Sequence, residues 1–508
     1  MTVPQQQRDA AQFLREVSGA DPIETHISAV FLGRETVWKM KKAVAFPYLD
    51  FTTLAARHRF LLRELALNRP AAPGLYRDVV ALVRGAEGGL AFCGPKKAID
   101  GETIEWVLRM ARVPAGDFLD RIADEGRLTP RLARELGRAI ARYHAGLAPI
   151  SGVDHPGSLS EVAAENRASA LAAGLARGEV LAWEASLLAA LGAREHWLVE
   201  RAERGFVRRA HGDLHLGNLC LWEGAPVPFD ALEFDERLAT IDLGYDLAFL
   251  LMDLVLRRDR ASANRVLNAY VAENGDFGLV GGLPFFLSLR AMVRAHVQAA
   301  RGFRDQARAF LAAAGGFLRP AAPMLIAVGG LPGSGKSTLA HGIAPWIGAA
   351  PGALVLANDV LRKRRHGVSP GTRLSDAAYT PEENRAVLAA QLAAADEVLR
   401  LGHGVIADAT FLDPAHRAAI QAVAAEAGVP FLGIALEAPL ALLENRVDAR
   451  GAAPEPDPSD ATASVLRRMA ASAGGDLPGG WHRLDATGPA EATLAAALRL
   501  AQPGVDAC

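Results

Sequence analysis

Residues 211–218 have the sequence HGDLHLGN, in which Asn218 follows Asp213 by five positions. This spacing is used where one rigid loop carries a carboxylate beside an attacking hydroxyl and an amide oxygen for a metal ion. Such a site also needs a second metal-binding Asp near the end of a neighbouring strand. Residues 226–230, PVPFD, predict a short strand that ends at Asp230. Because both elements are present, we interpret them as a phosphoryl-transfer site rather than as a turn and a loop cap.

The apolar helix that follows is expected to support this loop. Its N-terminal acidic residue, Asp246, is placed to cap the helix and to interact with the helix dipole. In kinases an Asp at such a position also holds the catalytic loop, so Asp246 is expected to act through that loop and not as a reactant.

The residues upstream predict a smaller lobe built on a β hairpin. Residues 29–32 and 36–41 have the alternation of paired strands. A helix is predicted over residues 54–68, and its Glu64 lies where such a helix supplies a carboxylate to a strand lysine. An exposed Glu64 paired with an arginine of its own helix is an equally weighted alternative.

The second strand of the hairpin offers two candidates for the lysine that contacts ATP. Lys39 shares a strand face with the small apolar Val37, as a phosphate-binding lysine does, so Lys39 is favoured and Lys41 is the alternative. A competing interpretation makes at least one of Lys39, Lys41 and Lys42 a guard of a solvated strand edge. The preceding loop, residues 25–28, has none of the glycines expected over bound phosphates.

The bulk composition excludes several classes of protein. The chain has 508 residues, 50% of them hydrophobic and 22% charged, which suits two large or about three ordinary domains. A net charge of −2 predicts neither a nucleic-acid partner nor a basic membrane surface. Three scattered cysteines and the lack of an apolar signal or membrane-spanning run predict a cytoplasmic protein.

A Gly/Pro-rich segment, residues 315–323, is expected to link a first domain, residues 1–314, to a second, residues 324–508. Directly after it, an apolar strand leads into a GxxxxGK[ST] motif and a helix, the context in which this motif is specific. Backbone N–H groups of such a loop and helix N-terminus bind phosphates, the lysine reaches the β/γ-phosphates, and the following hydroxyl ligates Mg²⁺. The nucleotide-binding residues expected here are Gly330, Gly333, Ser334, Gly335, Lys336, Ser337 and Thr338.

Two further strand ends are predicted beside this loop. Asp359 follows residues 353–357, where a carboxylate at the end of a parallel strand can meet an acceptor hydroxyl. Arg362 lies one turn later and could hold the acceptor. Asp408 ends the strand that starts at residue 404 and is expected to hold the Mg²⁺ water shell.

A lid is expected near the C-terminus. Arg446 and Arg450 lie one helical turn apart before the Gly/Pro-rich residues 451–459, and arginines on a closing lid stabilise a transferred phosphoryl group. Asp460, after this segment, is expected to cap the next helix.

The combined motifs resemble a family of bifunctional bacterial proteins in which an aminoglycoside-phosphotransferase-like domain is fused to a P-loop ATP-binding domain. The resemblance runs almost end to end and rests on ETHIS (24–28), VWKMKK (37–42), ELALNR (64–69), HGDLHLGN (211–218), FDALEF (229–234), DLAFLLMDL (246–254), GGLPGSGKST (329–338), NDVLRKR (358–364) and DATFLDPAHR (408–417).

For the first domain, the resemblance implies Asp213 as the base, Asn218 and Asp230 as Mg²⁺ ligands, and Lys39 or Lys41 on ATP.

The second domain is similar to small P-loop kinases that phosphorylate gluconate, chloramphenicol or polynucleotide ends, and to zeta toxins. This similarity implies Asp359 as the base, Arg362 on the acceptor, and lid arginines at Arg446 and Arg450. One departure is Asn358, where the related pattern more often has Ser.

The predicted fold is therefore a bilobed, protein-kinase-like α+β domain followed by a doubly wound parallel α/β P-loop domain. The predicted function is transfer of the γ-phosphoryl group of ATP, with Mg²⁺, to a hydroxyl of a small molecule at two sites. One alternative makes one domain a nucleotide-binding regulator of the other. Another makes the P-loop domain a polynucleotide 5′-hydroxyl kinase.

Overall fold

A computed structural model describes residues 3–46, 49–94, 102–451, 458–471 and 476–501. The chain divides into two compact units. The first contains Met1–Leu132, Gly146–His155 and Leu198–Leu250, and the second contains Ala133–Ala145, Pro156–Trp197 and Leu251–Cys508.

The N-terminal elements form an antiparallel sheet with helices packed against it. They are α1 (Arg8–Ser18), β1 (Ile23–Glu24), β2 (Ser28–Leu32), β3 (Thr36–Lys41), β4 (Ala45–Phe46), β5 (Leu49–Asp50), α2 (Leu54–Asn68), β6 (Tyr76–Arg84), β7 (Leu90–Cys93), β8 (Glu102–Ala111) and α3 (Leu119–Asp124). The six-stranded sheet has the order β1-β2-β3-β8-β6-β7.

The two faces of strand β3 explain where its lysines lie. Met40 packs with Leu14 of α1 and Val107 of β8 in one buried cluster. Because successive side chains of a strand point to opposite faces, the residues on either side of Met40 face away from that cluster. The predicted hairpin and the helix over residues 54–68 are therefore confirmed, and the hairpin directs two lysines toward one face.

The middle of the chain is mainly helical, with short strands around residues 211–218. Its elements are α4 (Pro130–Ala145), α5 (His155–Ala172), α6 (Arg177–Gly192), α7 (Glu195–Glu203), β9 (Val207–Arg209), β10 (Leu219–Trp222), β11 (Ala225–Pro228), α8 (Glu236–Ala239), β12 (Thr240–Asp242), α9 (Leu243–Leu256), α10 (Arg260–Asn274), α11 (Leu283–Ala300) and α12 (Arg304–Phe317). Strands β9 and β12 pair with each other, and β10 and β11 form a hairpin. These two ladders hold residues 211–218 and Asp230 between short strands.

The C-terminal elements form a parallel sheet with helices between the strands. They are β13 (Leu325–Gly330), α13 (Lys336–Ile343), β14 (Leu354–Ala357), α14 (Asn358–Arg365), α15 (Pro381–Arg400), β15 (Val405–Asp408), α16 (Pro414–Glu426), β16 (Phe431–Glu437), α17 (Leu440–Gly451), α18 (Ala463–Ala471), β17 (Trp481–Asp485) and α19 (Ala490–Ala501). The strand order is β14-β15-β13-β16-β17, and every pair is parallel. The carboxyl ends of β13, β14 and β15 therefore meet at one edge, where ligands bind in such sheets.

The predicted fold class is confirmed in both parts. The predicted linker differs at its start, because α12 continues to Phe317 and only residues 318–324 separate α12 from β13. The second compact unit joins the parallel sheet to helices from the first 314 residues, so the domain limits 1–314 and 324–508 remain a prediction. Within the described residues, we find no helix with both the length and the apolar character that a membrane span requires.

Candidate active sites

The first candidate site centres on Lys39. Its ammonium lies 2.7 Å from Oε1 of Glu64 and 2.5 Å from Oδ1 of Asp230. Glu64 is fully buried, whereas 41% of the Asp230 side chain is exposed. Burial alone would lower the pKa of Lys39, but Asp230 and Glu64 raise it well above its usual value. Lys39 therefore stays charged and joins helix α2 to the loop after β11.

Lys41 occupies a second, more deeply buried ion pair. Its ammonium lies 2.7 Å from Oε2 of Glu64 and also bonds Glu233. Burial would lower the pKa of Lys41, but Glu233 and Glu64 raise it. The interpretation of these lysines as guards of a solvated strand edge is therefore wrong. It is also wrong for Lys42, which is fully buried and pairs with Glu24 at 2.6 Å.

Asp246 of helix α9 holds the loop at residues 211–218 in place through its carboxylate. One carboxylate oxygen of Asp246 accepts a hydrogen bond from the amide of His211 at 3.0 Å, and the other accepts from the amide of Gly212 at 2.9 Å. Asp246 is fully buried, so these two bonds meet little competition from water. This is the supporting contact expected from the sequence.

A neutral His211 adds a second restraint on the loop. Burial lowers its pKa, and the Phe229 carbonyl oxygen lies 2.9 Å from Nε2. Since a carbonyl only accepts, Nε2 carries the proton, and Nδ1 accepts from the Asp213 amide at 3.3 Å. The imidazole therefore joins Asp213 to the residue before Asp230.

Asp213 and Asn218 lie side by side. Nδ2 of Asn218 donates to the backbone oxygen and to Oδ2 of Asp213, both at 2.9 Å. The Asp213 side chain is 42% exposed, so a substrate hydroxyl can reach it.

Asp230 has a left-handed backbone, with φ of 60°, and its amide donates to the buried Tyr76 hydroxyl at 2.9 Å. Such strained backbone persists only where its surroundings hold it, as the Tyr76 contact does here.

The second candidate site is the loop between β13 and α13. Gly330 has φ of 142°, and a Cβ there would lie 2.8 Å from the Leu436 carbonyl oxygen, so only glycine fits. Lys336 Nζ donates to the Leu331 carbonyl at 3.1 Å. The Ser337 hydroxyl donates to Oδ2 of Asp408 at 2.6 Å. The loop therefore brings a lysine, a hydroxyl and a carboxylate together at the carboxyl edge of the sheet.

Both sites offer oxygen donors that suit Mg²⁺. Within the described residues, no group of three or more His, Cys, Asp or Glu side chains forms a metal cluster. Mg²⁺ usually takes only one or two protein ligands and completes its shell with water and substrate phosphates. The Ser337–Asp408 pair and the Asn218 and Asp230 side chains fit that pattern.

Asp359 is the second residue of helix α14, which directly follows β14. Burial raises its pKa, while Lys336, a hydrogen bond with Ser459 and Arg362 oppose that rise. A carboxylate with a raised pKa is a better proton acceptor than an ordinary one.

The predicted acceptor arginine is engaged within the protein. Arg362 donates to the Ala378 carbonyl at 2.7 Å and to Oδ1 of Asn384 at 2.8 Å, and it lies over the Tyr379 ring. Its role on the acceptor stays a prediction.

Of the predicted lid arginines, Arg446 donates to the Ala486 carbonyl at 2.8 Å. The side chain of Arg450 lies outside the described part of the chain. The lid roles of both arginines therefore stay predictions.

The expected capping role of Asp460 is wrong. Asp460 accepts instead from Lys363 and Tyr379, both at 2.6 Å, and from the Leu374 amide at 3.0 Å. Thr462 Oγ1, rather than Asp460, accepts from the Val465 amide at the start of α18. Asp460 therefore binds one buried cation, a phenol and a backbone amide in place of a helix cap.

Two residues of the first site were not predicted from the sequence. Glu233 pairs with Lys41, and a second lysine on the same strand face was the signal that a second acid should be present. Asn68, on the last turn of α2, donates to the Glu64 carbonyl and accepts from the Ala231 amide, both within 2.9 Å. Nothing in the sequence pattern around Asn68 indicates this contact.

Comparison with known families matches the two parts of the chain separately. A model of the phosphotransferase enzyme family matches residues 91–280. A model of an AAA domain family matches residues 325–475.

Comparison with individual proteins gives relatives over nearly the whole chain. The uncharacterized protein Rv2004c of Mycobacterium tuberculosis is 30% identical over 496 residues, which cover 94% of this chain and 95% of that protein. Mb2027c of Mycobacterium bovis has the same identity and coverage.

Among solved structures, a gluconokinase from Sinorhizobium meliloti 1021 is 24% identical over 36% of this chain and 95% of its own, with a TM-score of 0.25. A choline/ethanolamine kinase family protein from Mesorhizobium loti is 13% identical over 62% of this chain and 95% of its own, with a TM-score of 0.37.

Proposed function

The chain belongs to the family of two-domain proteins, shared with the mycobacterial relatives, that joins a phosphotransferase enzyme domain to a P-loop AAA-type domain, and we propose that both domains transfer phosphoryl groups. It is a phosphotransferase enzyme with two kinase-type domains. The proposal is that each domain has its own ATP·Mg²⁺ site. Each site transfers the γ-phosphoryl group to a hydroxyl of a small molecule.

In the first site, Asp213 takes the proton of the acceptor hydroxyl. The hydroxyl oxygen attacks the γ-phosphorus of ATP, and ADP leaves. Lys39 neutralises phosphate charge and is oriented by Glu64. Bound Mg²⁺ would be held by Asn218 and Asp230 and would neutralise charge on the phosphates. Asp246 and His211 keep the loop in place, so positioning supplies most of the effect.

In the second site, the backbone of residues 330–335 and Lys336 bind the phosphates. Ser337 and Asp408 would hold Mg²⁺, which would neutralise charge on the phosphates. Asp359 takes the proton of the acceptor. The chain as a whole has a net charge of −2 and so no general attraction for a polyanion, which favours a small acceptor over a polynucleotide.

One observation carries the proposal. Each part of the chain has a lysine, a carboxylate that is the proposed base and an oxygen donor for Mg²⁺ on neighbouring elements. Phosphoryl transfer requires these parts and little covalent chemistry.

The test is incubation of the purified protein with ATP, Mg²⁺ and a metabolite extract, followed by mass spectrometry for species that gain one phosphoryl group. Asp213→Asn should abolish one product and Lys336→Met another, and each variant should spare the other product. Asp235→Asn is a matched control, because Asp235 only caps α8 and Asn also caps helices. If neither Asp213→Asn nor Lys336→Met removed a product, the assignment would be wrong.

A second candidate function is supported by the loop before the hairpin. Thr25 Oγ1 accepts from the amides of Ile27 and Ser28, at 3.4 and 2.9 Å, so these amides are engaged within the loop. This favours a first domain that binds nucleotide and regulates the second. ATP binding that survives Asp213→Asn with no Asp213-dependent product would support regulation. An Asp213-dependent product would exclude it.

A further inference from the structure

Among the residues that the structure describes, strand β14 lies at the end of the parallel sheet and pairs only with β15. An edge strand presents unpaired backbone N–H and C=O groups on its outer side, and buried groups of this kind need partners. Here the outer side of β14 faces helix α10, which belongs to the same compact unit.

Asn268 of α10 supplies the missing partner. Its Oδ1 accepts from the Val355 amide at 2.7 Å, and its Nδ2 donates to the Ala353 carbonyl at 3.2 Å. In a parallel ladder, a single residue of the neighbouring strand pairs with the carbonyl and the amide on either side of one opposing residue. The carboxamide of Asn268 therefore takes the place of the backbone N–H and C=O of one residue of a neighbouring strand.

Asn264 orders this carboxamide. Asn264 Nδ2 donates to the same Ala353 carbonyl at 3.0 Å, and its Oδ1 lies 3.1 Å from Asn268 Nδ2. Asn264 is fully buried and Asn268 is 7% exposed. Two buried amides on one apolar helix face are costly unless every bond is made, which makes this contact specific.

The same helix also contacts both flanks of β14. Before the strand, Arg260 donates to the Gly348 carbonyl at 2.8 Å. After it, the guanidinium of Arg364 packs so closely on Gly275, the C-cap of α10, that a Cβ there would lie 1.7 Å from Cζ. Helix α14, which starts with Asn358 and Asp359, is therefore fixed to α10 at its far end.

We propose that Asn268 is a positioning residue for the P-loop site, acting through β14 to set the place of Asp359 relative to the nucleotide loop. The inference rests on the proposed function of Asp359. It also means that the acceptor side of the P-loop domain is completed by a helix from the phosphotransferase part of the chain. The P-loop domain is then not an independent module.

The test uses the full chain with Asp213→Asn, so that only the P-loop site turns over. Asn268→Leu removes both hydrogen bonds to β14, and leucine has a side chain of similar volume. Asn268→Asp keeps the bond from the Val355 amide and loses the donor to Ala353. Asn166→Leu is the matched control, because Asn166 is also a buried helical amide but bonds His296, away from β14.

Two readouts separate positioning from a general loss of stability. Hydrogen–deuterium exchange of the peptide spanning residues 353–360 should become about tenfold faster in Asn268→Leu, since one to two hydrogen bonds are lost. In the Lys336-dependent phosphorylation of the metabolite extract, kcat should fall about tenfold while the KM for ATP stays within about twofold. Asn268→Asp places a buried carboxylate beside the Ala353 carbonyl, so it should change both readouts at least as much as Asn268→Leu. Asn166→Leu should match the parent in both readouts.

Unchanged exchange in Asn268→Leu would overturn the proposal, as would an equal loss of kcat in Asn166→Leu. If the parent has no Lys336-dependent product, the proposed function fails. In that case faster exchange at residues 353–360 would still locate Asn268 as the partner of β14 while removing its link to catalysis.

Discussion

Replacing Lys41 by Met should destabilise the first unit much more than it affects ATP contacts. Lys41 is 1% exposed, and its partners Glu64 and Glu233 are 0% and 5% exposed. Removing the cation leaves buried carboxylates without full compensation, a change that typically costs about 3–5 kcal/mol. For a domain of this size that loss lowers the melting temperature by roughly 6–20 °C.

The structure also supplies a partial rescue. Glu64 keeps Lys39 as a partner in Lys41→Met, whereas Glu233 loses the lysine that it bonds. Adding Glu233→Gln removes the uncompensated charge and should recover roughly half of the lost stability. Lys39→Met provides the contrast, because its partner Asp230 is 41% exposed, so turnover at the first site should disappear with a smaller change in melting temperature.

Calorimetry of the four proteins, with assay of the Asp213-dependent product, measures both effects. A destabilisation of about 1 kcal/mol should lower the melting temperature by about 2 °C or more. A melting temperature for Lys41→Met within about 2 °C of the parent would therefore refute this account of the buried ion pairs. A failure of Glu233→Gln to recover any stability would show that the loss has another cause.

Three further predictions follow from individual contacts. Asp246→Asn offers one acceptor oxygen to two backbone amides that each need one, so kcat at the first site should fall about tenfold to a hundredfold with KM little changed. A kcat equal to that of the parent would count against the role of Asp246 in supporting the loop. Gly330→Ala should abolish Lys336-dependent turnover by the clash with Leu436, while Gly479→Ala, which has open space, should not; steady-state assays of the two variants decide. Burial lowers the pKa of His403 from 6.5 to about 4, so between these pH values the unfolded chain binds a proton that the folded chain does not, and stability falls as the pH drops from 6.5 to 4. His403→Gln should remove up to about 3 kcal/mol of this pH dependence, measured as the free energy of unfolding in urea at several pH values. An unaltered dependence of that free energy on pH would contradict the prediction.

The parts of both sites that depend on short-range sequence spacing were predictable. Asp213 and Asn218 lie on one loop, and residues 331–335 join β13 directly to α13, so local geometry fixes their relations. For Glu64, pairing with a strand lysine and pairing with an arginine of its own helix were weighed equally, and the structure shows the lysine pairing. The choice between Lys39 and Lys41 stayed open because both face α2, and in the structure both lysines bond Glu64.

The parts that depend on distant contacts were not predictable. Asp460 was expected to cap the helix next to it, but it pairs with Lys363, 97 positions away in the chain. Asn268 binds Val355 across 87 positions, and an asparagine in a helix carries no pattern that announces a strand as its partner. Local propensity is weak beside such tertiary contacts when they bury charges or unpaired backbone groups.

The central claim, two ATP sites on one chain, is tested most directly by the stoichiometry of nucleotide binding. Isothermal titration with a non-hydrolysable ATP analogue and Mg²⁺ should give two analogue molecules per parent chain. It should give one for Lys39→Met, one for Lys336→Met, and none for the double variant. A parent chain that binds one analogue molecule, or a stoichiometry that neither lysine variant lowers, would contradict the claim.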